Sequence, residues 1–146
     1  MMLSTAFTTA DKGIIELSVG ASVMADIIRI EIGPAEGTDP VAETQELAFY
    51  LNDASGTGTA IVEQVLQGSG TIGGVAVSNV TEGATPTEFY ATGFHWSVGY
   101  LYLPVPEERF RLVGGSSVDN FGFHFPVAPD ASTTFSATLV WGEIAA

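Results

Sequence analysis

Thr133 to Ile144 reads TTFSATLVWGEI, and its spacing decides the fold class. Phe135, Ala137, Leu139 and Trp141 recur at every second position, with Thr134, Ser136, Thr138 and Val140 between them. Successive side chains leave a pleated backbone on opposite faces, so a period of two marks a strand with one face buried and one wet. Moving toward the N-terminus, Val118 to Phe125 puts Phe121, Phe123 and Phe125 on one face, and Pro126 stops it. Arg109 to Val113 is a brief strand before the Gly114-Gly115-Ser116-Ser117 turn. Thr87 to Val98 is long and aromatic, with Phe89 and His95 on one parity and Tyr90, Phe94 and Trp96 on the other. Such coverage of both faces suits a central strand or one at a subunit contact.

The rest of the chain repeats the pattern. Thr44 to Asn52 sets Gln45, Leu47, Phe49 and Leu51 against Glu46, Ala48 and Tyr50, and the turn-rich stretch Asn52 to Gly58 closes it. From Val23, Ile28, Ile30 and Ile32 project to one face and Arg29 and Glu31 to the other, until Gly33-Pro34. Ile14 to Val19, Leu3 to Thr9 and the piece beginning at Val75 and Val77 are shorter candidates, whereas Ile61 to Leu66 reads equally as helix or strand. Eight or more short strands separated by turn signals predict an all-β, single-domain antiparallel β-sandwich of jelly-roll type over residues 1–146.

Composition agrees. Of 146 residues, 46% are apolar and only 14% charged, with 17 glycines, whereas long surface helices carry dense Lys, Glu and Arg. A chain of this length buries a core without staples, and with no cysteine it has no disulfide and no Cys-type zinc site. Seventeen acids against four bases give a formal charge of −13. Nucleic acid and anionic membranes are both recognised through Lys and Arg, so neither is an expected partner. The start, Met1-Met2-Leu3-Ser4-Thr5, has neither the cationic nor the apolar part of a secretory signal, which places synthesis in a cytoplasm.

The segment Tyr100 to Arg111, YLYLPVPEERFR, concentrates the candidate site residues. Tyr100 and Tyr102 belong to a strand that Pro104 and Pro106 stop, because proline lacks a backbone donor. Glu107, Glu108, Arg109 and Arg111 then place charge at a corner holding half of the chain's Lys and Arg. The expected arrangement is an ion pair of Glu107 or Glu108 with Arg109 or Arg111. With Trp96 and His95, these residues form the structural corner and interface candidates.

YLYLPVPEERFR and the later APDASTTFSATLVWGEI resemble small structural proteins of tailed bacteriophages, in which a "YLPTPEER" stretch precedes a terminal strand rich in Thr and Leu. RIEIGPAEGTD and AETQELAFYL are similar to two further segments of that family. The chain departs from it in its Gly142-Glu143-Ile144-Ala145-Ala146 ending and between Ala60 and Val80. The resemblance implies a capsid decoration, or cement, protein on the exterior of the virion. It implies a homotrimer bound to the major capsid protein, with no cofactor, no metal and no catalysis. The alternative is a carbohydrate-binding sandwich of a phage virion that adheres to host glycans through Trp96, Tyr100 and Tyr102.

Other readings are weaker. Gly68 to Gly73, GSGTIG, matches a dinucleotide-binding spelling, but the following Gly74-Val75-Ala76-Val77-Ser78 is poor helix material, so a plain loop is expected. His95 and His124 sit within aromatic strand patterns, and no nucleophile elbow accompanies them, so packed or interfacial roles are expected. Glu107 and Glu108 are adjacent and point apart in an extended chain, unlike glycosidase acids, which face each other across a cleft. Glu36, Asp39 and Glu43 match no calcium loop, leaving a solvated acidic loop. Asn79-Val80-Thr81 is a glycosylation sequon by spelling only.

Overall fold

The computed structural model describes residues 2–7, 13–34, 43–65, 72–81, 86–115, 119–127 and 133–145. Among these residues eleven strands run in chain order: β1 (Met2–Phe7), β2 (Gly13–Val19), β3 (Val23–Pro34), β4 (Thr44–Asn52), β5 (Thr57–Ala60), β6 (Gly74–Thr81), β7 (Thr87–His95), β8 (Tyr100–Tyr102), β9 (Arg111–Val113), β10 (Asn120–His124) and β11 (Thr133–Ala145). Between β8 and β9 lies one 3-10 turn, Pro106–Glu108. Sheet A has the order β1-β11-β3-β8, with β9 also on β3, and sheet B the order β5-β6-β2-β10-β4-β7.

The pairings are nested. β4 pairs β7, β3 pairs β8, β2 pairs β10 and β1 pairs β11, all antiparallel. One long hairpin folded over itself gives this arrangement, which is the jelly roll; β5 and β6 widen sheet B beyond β2. Between the sheets lies one core, drawn from Ile14, Ile15 and Leu17 of β2, Leu47 and Phe49 of β4, Phe121 and Phe123 of β10, and Phe135, Ala137 and Leu139 of β11.

Bulges explain where simple alternation fails. In β3 the partners of Val140 and Trp141 are Arg29 and Ile27, so Ile28 is an extra residue. Ile27, Ile30 and Ile32 are therefore buried, while Ile28 turns to the other face and lies against Gly142. This corrects the expected run of Ile28, Ile30 and Ile32. The Thr87 to Val98 segment is not a central strand: β7 ends at His95 and is the edge of sheet B, and residues 96–98 turn. The stretch expected as turn only, Asn52 to Gly58, leads into β5, which forms on β6 despite its weak Thr-Gly-Thr-Ala composition. Residues 61–65 are neither helix nor strand, and the Ile61 amide donates to the Ala76 carbonyl at 3.0 Å. Leu66 lies outside the described residues.

Candidate functional site

β7 of sheet B and β8 with β9 of sheet A end their sheets on the same side, and rings from both fill the gap. Phe49 in β4 is fully buried at the centre. It stacks on Tyr90 at 4.9 Å and meets Tyr102, Phe110 and Phe121 edge-on at 5.4, 5.9 and 5.8 Å. Tyr102 and Phe110 stack at 5.4 Å, and Phe89 meets Phe110 at 4.7 Å. Offset stacks and edge contacts are the arrangements a ring quadrupole favours. A bulge makes the crowding possible. Phe49 pairs with Tyr90 but Tyr50 with Glu88, so Phe89 is the extra residue and two consecutive rings turn the same way.

The outer parts of this edge are uncovered. Phe89 and Tyr90 are more than a third exposed, and Leu101, Leu103 and Val105 are 59%, 64% and 54% exposed. Seven of the twelve exposed large apolar side chains among the described residues fall between 89 and 113, on β7, β8, β9 and the segments that join them. Burial raises the pKa of the Tyr100 hydroxyl well above that of a free phenol, and its donation to the Tyr90 hydroxyl at 3.4 Å adds to the rise. Burial, then the carboxylate of Glu108, raises that of Tyr102.

The corner is held differently from expectation. The Glu108 amide donates to the Val105 carbonyl at 2.9 Å, and the Tyr102 hydroxyl donates to the Glu108 carbonyl at 3.3 Å. Pro104 is half-buried, while Pro106, Glu107 and Glu108 are exposed; among the described residues neither glutamate pairs with a cation. Arg111 instead pairs with Asp26: its Nε and an Nη donate to the two carboxylate oxygens at 2.6 and 2.8 Å. The reason is register. β9 places Arg111 directly opposite Asp26 on β3, whereas the two glutamates face solvent from the 3-10 turn. The Arg111 hydrogen bonds hold the Asp26 carboxyl below the usual carboxylate range against its partial burial, and the charges of Arg111 and Arg109 assist.

Trp96 and His95 lie at the end of the same edge. Trp96 is fully buried among Phe94, Phe125 and Phe135 at 5.1 to 5.5 Å, so it is core rather than surface. The His95 Nδ1 and the Ser97 hydroxyl are 2.7 Å apart, and the His95 carbonyl accepts from the amides of Val98 and Gly99. His95 thus organises the β7–β8 turn, which Gly99 completes at φ +76°.

One buried arrangement is not foreshadowed by any motif in the sequence. On the face of sheet B opposite the core, Glu16, Gly122 and Tyr50 stand in register across β2, β10 and β4. The fully buried Tyr50 hydroxyl donates to Glu16 Oε2 at 3.0 Å, and the Gly56 amide donates to Glu16 Oε1 at 2.6 Å, drawing loop 53–56 over the sheet. Tyr50 lies flat on Gly122, where a Cβ would come within 2.8 Å of its Cε1. His124, 5.0 Å from the Tyr50 ring, meets Glu88 Oε1 through Nε2 at 2.9 Å. The available signal is a lone Glu16 between Ile15 and Leu17, together with glycines at 13 and 122 that make room for Tyr50. These groups satisfy one another inside a wall, as buried polar groups must.

Glu36, Asp39 and residues 66–71 of the glycine-rich loop lie outside the described residues, as does the Asn79 side chain. Among the described residues no group of His, Asp and Glu is arranged to hold a metal. The amides of Gly73 and Gly74 donate to Glu143, each at 2.8 Å, and the Trp141 Nε1 joins them at 2.8 Å. Burial acts to raise the Glu143 pKa, but these donors outweigh it and hold the carboxyl below its ordinary range. No family model matches the chain, and no curated protein or solved structure matches it either.

Proposed function

We propose that this chain is a capsid decoration protein of a tailed bacteriophage, a non-enzymatic clamp that binds the outer face of an assembled shell as a homotrimer and bridges neighbouring major capsid subunits. The observation that carries the reading is the open aromatic edge from Phe89 to Val113 on an acidic sandwich whose interior is otherwise filled. Its apolar side chains supply area to bury, and a standard interface needs about 1,600 Å². The charge of −13 keeps free subunits apart and turns them from packaged genome, and buried apolar area offsets that repulsion in an assembly. The resemblance of YLYLPVPEERFR and APDASTTFSATLVWGEI to phage structural proteins supports the same reading. Trimeric repetition would convert modest contacts into avidity.

The packing of the rings favours this over glycan binding. A sugar platform presents open ring faces, whereas Trp96 is buried and Tyr102 has a face against Phe110. The test is to mix purified chain with undecorated capsids and count bound copies per capsid site, beside a panel of host glycans. Saturable binding to capsids, reduced at least tenfold by Leu101→Glu with Leu103→Glu, is expected. Binding to glycans but not to capsids, or turnover of a substrate, would overturn the proposal.

A further inference from the structure

β7 is a long edge strand, and beyond the Phe89 bulge its residues Tyr90 to His95 run in regular register along β4. Over its nine residues it pairs only with β4 among the described residues, and residues 87–91 are all exposed. Natural edges are blunted by proline, by charged side chains, by bulges or by brevity. Both the bulge and Glu88 lie at the start of β7; the stretch Tyr90 to His95, YATGFH, has no proline, no Lys, Arg, Asp or Glu and no bulge, while β8 and β9 span three residues each and β5 four. The direction of its backbone groups follows from one bond. The Trp96 amide donates to the Glu43 carbonyl at 3.2 Å, one step beyond the Thr44–His95 pair. Hydrogen-bonded pairs alternate in an antiparallel ladder, so the amides of Phe94, Thr92 and Tyr90 point at β4 and those of Ala91, Gly93 and His95 point away. This outward row is about 13 Å long, and it ends where the turn amides take the His95 carbonyl.

Charge selects the occupant. The strands of sheet B carry Glu16, Glu46 and Glu88 and no Lys or Arg; the four cations of the chain are Lys12, Arg29, Arg109 and Arg111. The run of this chain that alternates basic and apolar residues, Arg109 to Leu112, is already committed to sheet A, with β9 on β3 and Arg111 on Asp26, and a second copy holds it the same way. We infer that the outer edge of β7 accepts an added strand from a different protein, an extended segment alternating apolar and basic residues. Its inward side chains cover the exposed sides of Tyr90, Tyr100 and Tyr102, and its outward ones meet Glu46 and Glu88. Main-chain bonds supply attachment and the alternate side chains supply selectivity. The inference rests on the clamp reading for the source of that segment, an arm of the shell protein.

The test uses the full chain and three capped nonapeptides: alternating valine and lysine, the same peptide N-methylated at alternate residues, and alternating valine and glutamate. Amide exchange is read by NMR at physiological salt. The valine-lysine peptide is expected to slow exchange at Ala91 and Gly93 at least tenfold, and the other two to bind at least tenfold more weakly. Ala91→Pro, which deletes an outward amide and no ladder bond, is expected to abolish binding; should that variant unfold, the N-methylated peptide makes the same comparison on the unaltered protein. Protection confined to other residues, or equal binding by any of the three peptides, overturns the inference. Capsid binding that persists undiminished under saturating valine-lysine peptide also sinks it while sparing the decoration reading. Peptide binding at β7 without capsid binding does the reverse.

Discussion

Replacing Phe49 with alanine is expected to loosen the aromatic edge more than any other single change. The ring is fully buried and touches Tyr90, Tyr100, Tyr102, Phe110, Phe121 and Phe123 at centroid distances of 4.9 to 6.5 Å. Phenylalanine-to-alanine truncations in cores cost about 3 to 5 kcal/mol, and a site walled by rigid rings collapses poorly, which places this one near about 4 kcal/mol. With a urea dependence of about 2 kcal/mol per molar, the unfolding midpoint should fall by about 2 M. Fluorescence of the buried Trp96 follows the transition. Phe49→Leu keeps most of the volume and should lose less than half as much. A drop below about 0.5 M for Phe49→Ala, at unchanged slope, would refute the assignment of Phe49 as the centre of the edge.

Gly122→Ala should cost about 1 to 3 kcal/mol, because the new methyl meets the Tyr50 ring; the loss should shrink in a Tyr50→Leu background, as a double-mutant cycle in urea would read. The Asp26 carboxyl is lowered by Arg111, so the pair's contribution is full above the unfolded-state value of about 3.9 and lost as pH falls through the lower folded value. Asp26→Asn should accordingly reduce the acid sensitivity of the urea midpoint, and added salt should reduce the wild-type difference. The Tyr100 and Tyr102 hydroxyls are raised, so their stabilisation is present below about pH 10 and fades as pH climbs through the folded values. Absorbance titration at alkaline pH should show two phenols ionising late, and both should return to the ordinary range in urea.

The sandwich was legible where one face is apolar and the ladder is regular, as in β10 with Phe121 and Phe123 and in β11 with Phe135, Ala137 and Leu139. It was illegible where a bulge shifts the phase. Ile28 reads as a core residue by spacing, yet the extra residue in β3 sends Ile27 inward instead. Rings on both parities of β7 read as a central strand or a subunit contact; the strand is an edge, and the Phe89 bulge is what turns two consecutive rings the same way. β5, Thr-Gly-Thr-Ala, has no apolar alternation to read despite its two threonines, and it forms where β6 offers it a partner. Of the candidate site, Tyr100 and Tyr102 could be placed from local pattern. The Arg111–Asp26 pair spans 85 residues and depends on the register of β9 on β3, which no local spacing encodes. The Glu16–Tyr50 bond likewise depends on β2, β10 and β4 lying side by side.

The placement of β11 between β1 and β3 governs how the molecule is made. Until residues 133–145 have left the ribosome, sheet A lacks its middle, and β1 and β3 expose backbone edges with nothing to bind. Nested, long-range pairing of this kind folds slowly and leaves the nascent chain open to mispairing with its neighbours. Rapid synthesis of many copies in one cell would therefore favour aggregation, and slower translation or lower temperature should raise the yield of folded protein.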